Sequence, residues 1–229
     1  MKFFYLTLLL ITLLVNISSR LRITKKRFTK YLNRFQDWPN HALATPDNDW
    51  GNSATIYLDR HNVDCGIGAL ASFQLKRPNA HKIKFDYKCI LPKSCINDCQ
   101  KNLEKIDGEK CKKLSTPANI LGNETGKSIN YLDRHTIKCP TGYVLTHFHL
   151  LRVPPKIKFD YTCCPATVKD CTTKNTTETD FVDYGIVYLE RQNVEVPDIK
   201  TQALTGFKLH TDYGRHSYFY EMFYCTVIG

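Results

Sequence analysis

The chain has 229 residues and a formal net charge of +10, with 42% hydrophobic and 24% charged residues. The charge suggests nucleic acid, but its placement argues against that: Lys2 carries one positive charge, the acid-free run Arg20, Arg22, Lys25, Lys26, Arg27, Lys30 and Arg34 carries seven, and only +2 remains for the rest.

At the start, Lys2 precedes an apolar run from Phe3 to Val15, and Asn16-Ile17-Ser18-Ser19 gives a small-residue exit. Residues 1–19 therefore read as a secretory signal peptide, too short to span a bilayer, and no later stretch is apolar enough for a transmembrane segment. The expected location is extracellular. Residues 20–45 form a basic arm in which Phe28, Tyr31, Leu32 and Phe35 recur at helical spacing until Pro39. The spacing predicts a short basic amphipathic helix. It reads either as a solvated arm or propeptide cut near Lys26-Arg27, or as a segment (residues 20–35) that docks on anionic lipid or sulfated glycan.

Residues 46–229 contain one unit written three times. Tyr57-Leu58-Asp59-Arg60-His61, Tyr131-Leu132-Asp133-Arg134-His135 and Tyr188-Leu189-Glu190-Arg191-Gln192 open the copies. Eight residues after each tyrosine stand Cys65, Cys139 and Val196. Segments around Phe73, Phe148 and Phe207 follow, and then closing runs that end at Cys89, Cys163 and Cys225. In Ile83–Cys89 and Ile157–Cys163 every second residue is apolar, the pattern of a half-buried strand. The predicted repeats span 50–89, 126–164 and 184–225, each read as strand, strand, strand. Residues 90–125 form an insert with a short helix, and 165–183 a linker. A unit of this size cannot bury enough apolar surface alone, so three must share a core. The expected architecture is a single all-β domain with pseudo-threefold symmetry, a β-trefoil or β-prism, with Phe73, Phe148 and Phe207 converging.

Ten cysteines in an exported chain without a Cys-x-x-Cys pair imply a disulfide framework rather than zinc. Cys65 with Cys89 and Cys139 with Cys163 share inward parity and are the predicted staples. Cys95, Cys99, Cys111, Cys164, Cys171 and Cys225 leave three bridges of open connectivity; Cys225, whose expected partner position holds Val196, should reach Cys164 or Cys171. Asn123-Glu124-Thr125 and Asn175-Thr176-Thr177 are glycosylation sequons, placed in the loops between units.

The order Leu-x-Arg, Cys-Pro-x-Gly at Cys139-Pro140-Thr141-Gly142, the spacing Cys89-x5-Cys95-x3-Cys99 and the pair Tyr161-Thr162-Cys163-Cys164 resemble the repeats of the dermatopontin family over roughly residues 50–225. The resemblance implies a secreted matrix-associated protein that binds proteoglycans or cells, with lectin activity in some invertebrate members. Lys82-Ile83-Lys84-Phe85 and Lys156-Ile157-Lys158-Phe159 stand where that family carries Asp-Arg-x-Trp.

No hydrolase, metalloprotease or phosphate-loop motif is present, and neither a cofactor nor an enzymatic activity is expected. Asp59-Arg60-His61 and Asp133-Arg134-His135 offer acid, cation and base, but adjacent strand residues face opposite sides and cannot form a triad. Their repetition predicts an Asp–Arg pair locking the first strand to a neighbour; the alternative for Arg60, Arg134 and Arg191 is ligand contact, one per unit. His147 and His149 share a strand face and are read as polar surface before metal ligands. The aromatics from Tyr218 to Tyr224 are read as core and edge cover rather than as a sugar platform. The functional expectation is a non-enzymatic module that binds an extracellular polysaccharide or glycoprotein. Alternatives are a structural component of an extracellular coat or secretory granule, and an effector or toxin with a membrane-active helix.

Overall fold

Alternating apolar residues build three long antiparallel hairpins, one per unit. The computed structural model describes residues 42–66, 68–91, 111–121, 128–182 and 185–228, all within one compact unit, Pro39–Gly229. The signal segment, the basic helix, Cys95, Cys99, Asn123 and the insert's helix lie outside the described residues. In the first unit the hairpin is β4 (Ala69–Asn79) with β5 (Lys82–Ile90), preceded by the short strands β1 (Ala42–Ala44), β2 (Asn48–Asp49) and β3 (Asn62–Asp64). The second unit repeats this with β6 (Lys112–Ser115), β7 (Asn119–Ile120), β8 (Thr136–Lys138), β9 (Tyr143–Val153) and β10 (Lys156–Pro165). The third has β11 (Val168–Asn175), β12 (Thr179–Asp180), β13 (Val194–Glu195), β14 (Gln202–Asp212) and β15 (Ser217–Val227).

Each hairpin takes its neighbours by one rule. On one edge it pairs with its own unit's first two strands: β1 and β2 on β5, β6 and β7 on β10, β11 and β12 on β15. The other edge is filled by a strand from a different unit. The first unit lends β3 to β9, the second lends β8 to β14, and the third lends β13 back to β4. Every hairpin carries a bulge at the same place, leaving Ala71, Thr146 and Thr205 outside the ladder. A bulge leaves a carbonyl unpaired. Here the lent segments use it: the N–H groups of Val196, Cys65 and Cys139 donate to the carbonyls of Ala71, Thr146 and Thr205 at 3.0, 2.9 and 2.7 Å. All edge strands are short except β11, which limits edge-to-edge association.

Inward residues of the three sheets meet in a stack of aromatic rings. The Phe73, Phe148 and Phe207 centroids lie 4.6–5.0 Å apart. Phe85, Phe159 and Tyr220 alternate around them at 5.8–6.4 Å, mostly edge to face. Such pairs contribute about 0.5–1.5 kcal/mol each beyond the burial of their area.

Four disulfides join the described residues: Cys65–Cys89, Cys139–Cys163, Cys111–Cys164 and Cys171–Cys225. The first two tie the end of each lent strand to its own hairpin. The other two tie each unit's opening edge segment to its last strand.

Three expectations need correction. The predicted repeats begin too late: β1 and β2, β6 and β7, and β11 and β12 belong to the units, so residues 111–121 of the insert and most of the linker are sheet edges. The third unit's closing strand lies one residue out of its expected alignment. Leu70 pairs with Cys89, Leu145 with Cys163 and Leu204 with Tyr224, so Tyr224 occupies the half-cystine position and Cys225 corresponds to Cys164. Cys225 never lost a partner; buried Val196 and Tyr224 take the place of the missing bridge. Asn175 lies on a strand, as the last residue of β11, and not in a loop.

Candidate functional site

The first and third of the Leu-Asp/Glu-Arg segments are 3-10 helices, at Thr55–Arg60 and Ile186–Arg191; in the second the helix is Ile129–Leu132 and Asp133-Arg134 continue it as a turn, and none is the strand predicted. Three residues complete a 3-10 turn, so side chains at i and i+3 eclipse. Arg60, Arg134 and Arg191 therefore lie over Tyr57, Tyr131 and Tyr188, with guanidinium carbons 4.1, 4.7 and 4.8 Å from the ring centroids. The arginines are exposed and the tyrosines half-buried. Gly51 lies close against the Tyr57 ring, where an added Cβ would stand 1.9 Å from a ring carbon. Leu58, Leu132 and Leu189 are buried and, with Phe73, Phe148 and Phe207, line a cavity of about 20 Å³.

The expected pairing of each arginine with its adjacent acid is absent. Among the described residues no ion pair joins Arg60, Arg134 or Arg191 to a carboxylate; Arg191 donates to the Asp180 carbonyl at 3.1 Å. A side chain that reaches back over its own helix at i+3 cannot also reach the acid at i+2, a third of a turn away. The acids instead tie units together. Glu190 takes both arms of Arg77, at 2.8 and 3.0 Å, and its carbonyl accepts from Gln74. The Asp133 carboxylate accepts from the Thr211 hydroxyl, and the Asp59 carbonyl from His149 Nε2 at 2.7 Å. Burial raises the Asp59 carboxyl above its usual range, with Arg60, Arg152 and His149 opposing.

Magnitudes separate scaffold from surface. An exposed cation–π stack is worth about 0.5–1 kcal/mol. Truncating a buried phenylalanine such as Phe73 costs about 3–5 kcal/mol. The ring stack holds the fold, while the three guanidinium groups lie over tyrosine rings at the surface.

The histidine of each motif is core. His61 and His135 are 1% and 2% exposed, and Nδ1 of each lies 2.8 Å from the hydroxyl of Thr45 or Thr116. Those hydroxyls also accept the N–H of Phe85 and Phe159 at 2.9 Å, locking the opening segment onto the last strand. In the third unit Thr176, Gln192 and Tyr220 take the same places. Nε2 of both histidines is buried without a partner. Burial lowers both pKa values, that of His61 to about 4, with Arg60 and Arg134 adding to the effect.

Sequence reasoning passes over the threonines, although a second repeat signals them. Thr45-Pro46-x-Asn48-x-x-Gly51-Asn52 recurs as Thr116-Pro117-x-Asn119-x-x-Gly122-Asn123. Asn48 and Asn119 both donate to the proline carbonyl two residues back, at 3.2 Å.

His147 and His149 do share a face of β9, but each has an inter-unit partner, Asn62 for His147 and the Asp59 carbonyl for His149. Among the described residues no group of three or more histidine, cysteine or acidic side chains is placed to hold a metal. None of the described helices is long and apolar enough to cross a membrane. The chain matches no protein-family model, no curated protein and no solved structure.

Proposed function

We propose that the protein is a secreted, non-enzymatic binding module that grips an extracellular glycan or matrix polymer through its three Tyr–Arg turns. We infer a pseudo-threefold arrangement of the units, a prism rather than a trefoil, supported by three separate sheets of the same strand order around one ring stack. The observation that carries the reading is the threefold recurrence of an exposed guanidinium stacked on a tyrosine and free of its neighbouring acid. A pre-oriented planar guanidinium suits carboxylate and sulfate oxygens, which it meets with paired N–H donors. With one face of each tyrosine covered by arginine, the chemistry favours acidic sugars over stacked neutral ones. Three weak sites on one rigid body raise retention on a polymer by effective concentration. The four disulfides suit an oxidising compartment, and kinship with dermatopontin-type matrix proteins belongs to the same proposal.

The test is a glycan array that includes uronate-bearing and sulfated chains, read with the parent and with Arg60→Ala, Arg134→Ala and Arg191→Ala singly and together. Single changes should weaken binding modestly and the triple change should abolish it, while melting falls by only a few degrees. A triple variant that binds as the parent does refutes the assignment.

A further inference from the structure

The three sheets differ most on their outer faces. On β5 the outward residues are Lys84, Asp86 and Lys88, and on β10 they are Lys158, Asp160 and Thr162. The corresponding residues of β15 are Phe219, Glu221 and Phe223, all half-buried. Only the third sheet carries aromatic rings at these outward positions. His210 from β14 stacks on Phe219 at 4.9 Å, its ring 10° from parallel, and Lys138 from β8 lies 4.5 Å from the Phe223 centroid. Both partners come from the β14 side of β15, and β11 runs along its other side.

The outward residues that β11 presents there are Thr173, exposed and directly opposite Phe223, and Asn175, exposed and directly opposite Glu221. Residues opposite one another on a ladder point to the same face, and their diagonal neighbours lie about 7–8 Å away. Asn175 is thus flanked diagonally by Phe219 and Phe223. In the second unit the same position is Ser115, whose hydroxyl donates to Asp160 at 2.6 Å; a side chain here does reach over the outer face. In the first it is Ala44. At this ladder position an acceptor asparagine and flanking aromatic rings occur together in the third unit and in neither of the others.

We propose that Asn175 carries an N-linked glycan whose first N-acetylglucosamine packs against Phe219 and Phe223, so that the sugar is the cover of the third sheet. The inference rests on export of the chain through a glycosylating pathway. A pyranose ring presents an apolar face of C–H groups that matches the side of a half-buried aromatic ring. The free carboxylate oxygen of Glu221, whose other contact is His210 at 3.0 Å, is placed to accept from the acetamido group.

The full chain is expressed in cells that glycosylate secreted proteins, and occupancy of Asn175 is read by peptide mass spectrometry. The glycan is then trimmed to a single N-acetylglucosamine, and melting is compared with that of a Thr177→Ala variant, which lacks the sequon. The single sugar should raise the melting temperature by about 2–4 °C, the shift expected from one added aromatic contact in a domain of this size. In Phe219→Lys/Phe223→Lys, which copies the first unit, the shift should vanish. Nuclear Overhauser contacts between sugar and phenylalanine ring protons in the parent give a readout independent of that variant's folding. A secreted protein with bare Asn175, an unchanged shift in the double variant, or no sugar–ring contacts overturns the proposal and leaves export standing. Failure of the chain to reach the medium overturns export, and the proposal with it.

Discussion

Acid should unfold this protein through its buried histidines, and the third unit supplies the means of proving it. His61 sits among aromatic rings, edge-on to Phe85 at 5.8 Å, with Nδ1 on Thr45 and Nε2 unpaired. Desolvation and then Arg60 disfavour the imidazolium; Asp47 favours it, and His149 opposes it weakly. The folded pKa, about 4, lies below the ordinary 6.5, so the stabilisation from His61 is fully present above pH 6.5 and is lost as pH falls towards 4. Linkage gives a loss of about 2 kcal/mol by pH 5 and about 3 kcal/mol below pH 4. His135, lowered by burial and Arg134 against Asp133, acts in the same direction. Glutamine fills this position in the third unit, where it bonds Thr176, Thr177 and Thr179. Urea unfolding from pH 7.5 to 4.5 should therefore show a steep fall for the parent, and one shallower by at least about 2 kcal/mol for His61→Gln/His135→Gln. Carboxylate titration is common to both proteins and cancels in the difference. If the double variant keeps the parent's slope, the histidines are not the acid-labile element.

Gly206 faces backbone, and a Cβ added there would stand 2.1 Å from the Ile137 carbonyl oxygen and 2.8 Å from Lys138 Cα. Gly206→Ala should therefore cost about 1–3 kcal/mol in denaturant titration by pushing β8 off β14; a parent-like midpoint refutes that packing. Replacing Cys139 by Val and Cys163 by Tyr, as in the third unit, should lose about 3 kcal/mol of loop-closure stabilisation and still give a cooperative melt; a broad transition would show that Val196 and Tyr224 are not a general substitute. Arg77→Ala breaks a bidentate but part-exposed pair with Glu190, and melting should change by no more than about 1 kcal/mol; a larger loss would make this inter-unit tie a principal support.

Period-two alternation made the hairpins legible, because one side of Ile83–Cys89 and Ile157–Cys163 is buried while the other meets solvent. The staple cysteines and the meeting of Phe73, Phe148 and Phe207 followed from the same parity. The Tyr-x-x-Arg turns were not legible as 3-10 helices, since a four-residue motif holds too little sequence to separate period two from period three. Matching the third unit on its last cysteine shifts the register by one, because Tyr224 stands in for a half-cystine while Cys225 serves a different bridge. The lending of β3, β8 and β13 leaves no mark in any unit, since a strand's periodicity says which face is buried and nothing about whose edge it joins.

That lending gives the molecule no first or last unit in the sense that a solenoid has capped ends. Each hairpin is completed by a strand of another unit, so the three described sheets are tied into one ring of lent strands. Cutting the connection between two units would remove no strand pairing, whereas deleting any one unit would leave both a bare edge and an unplaced strand.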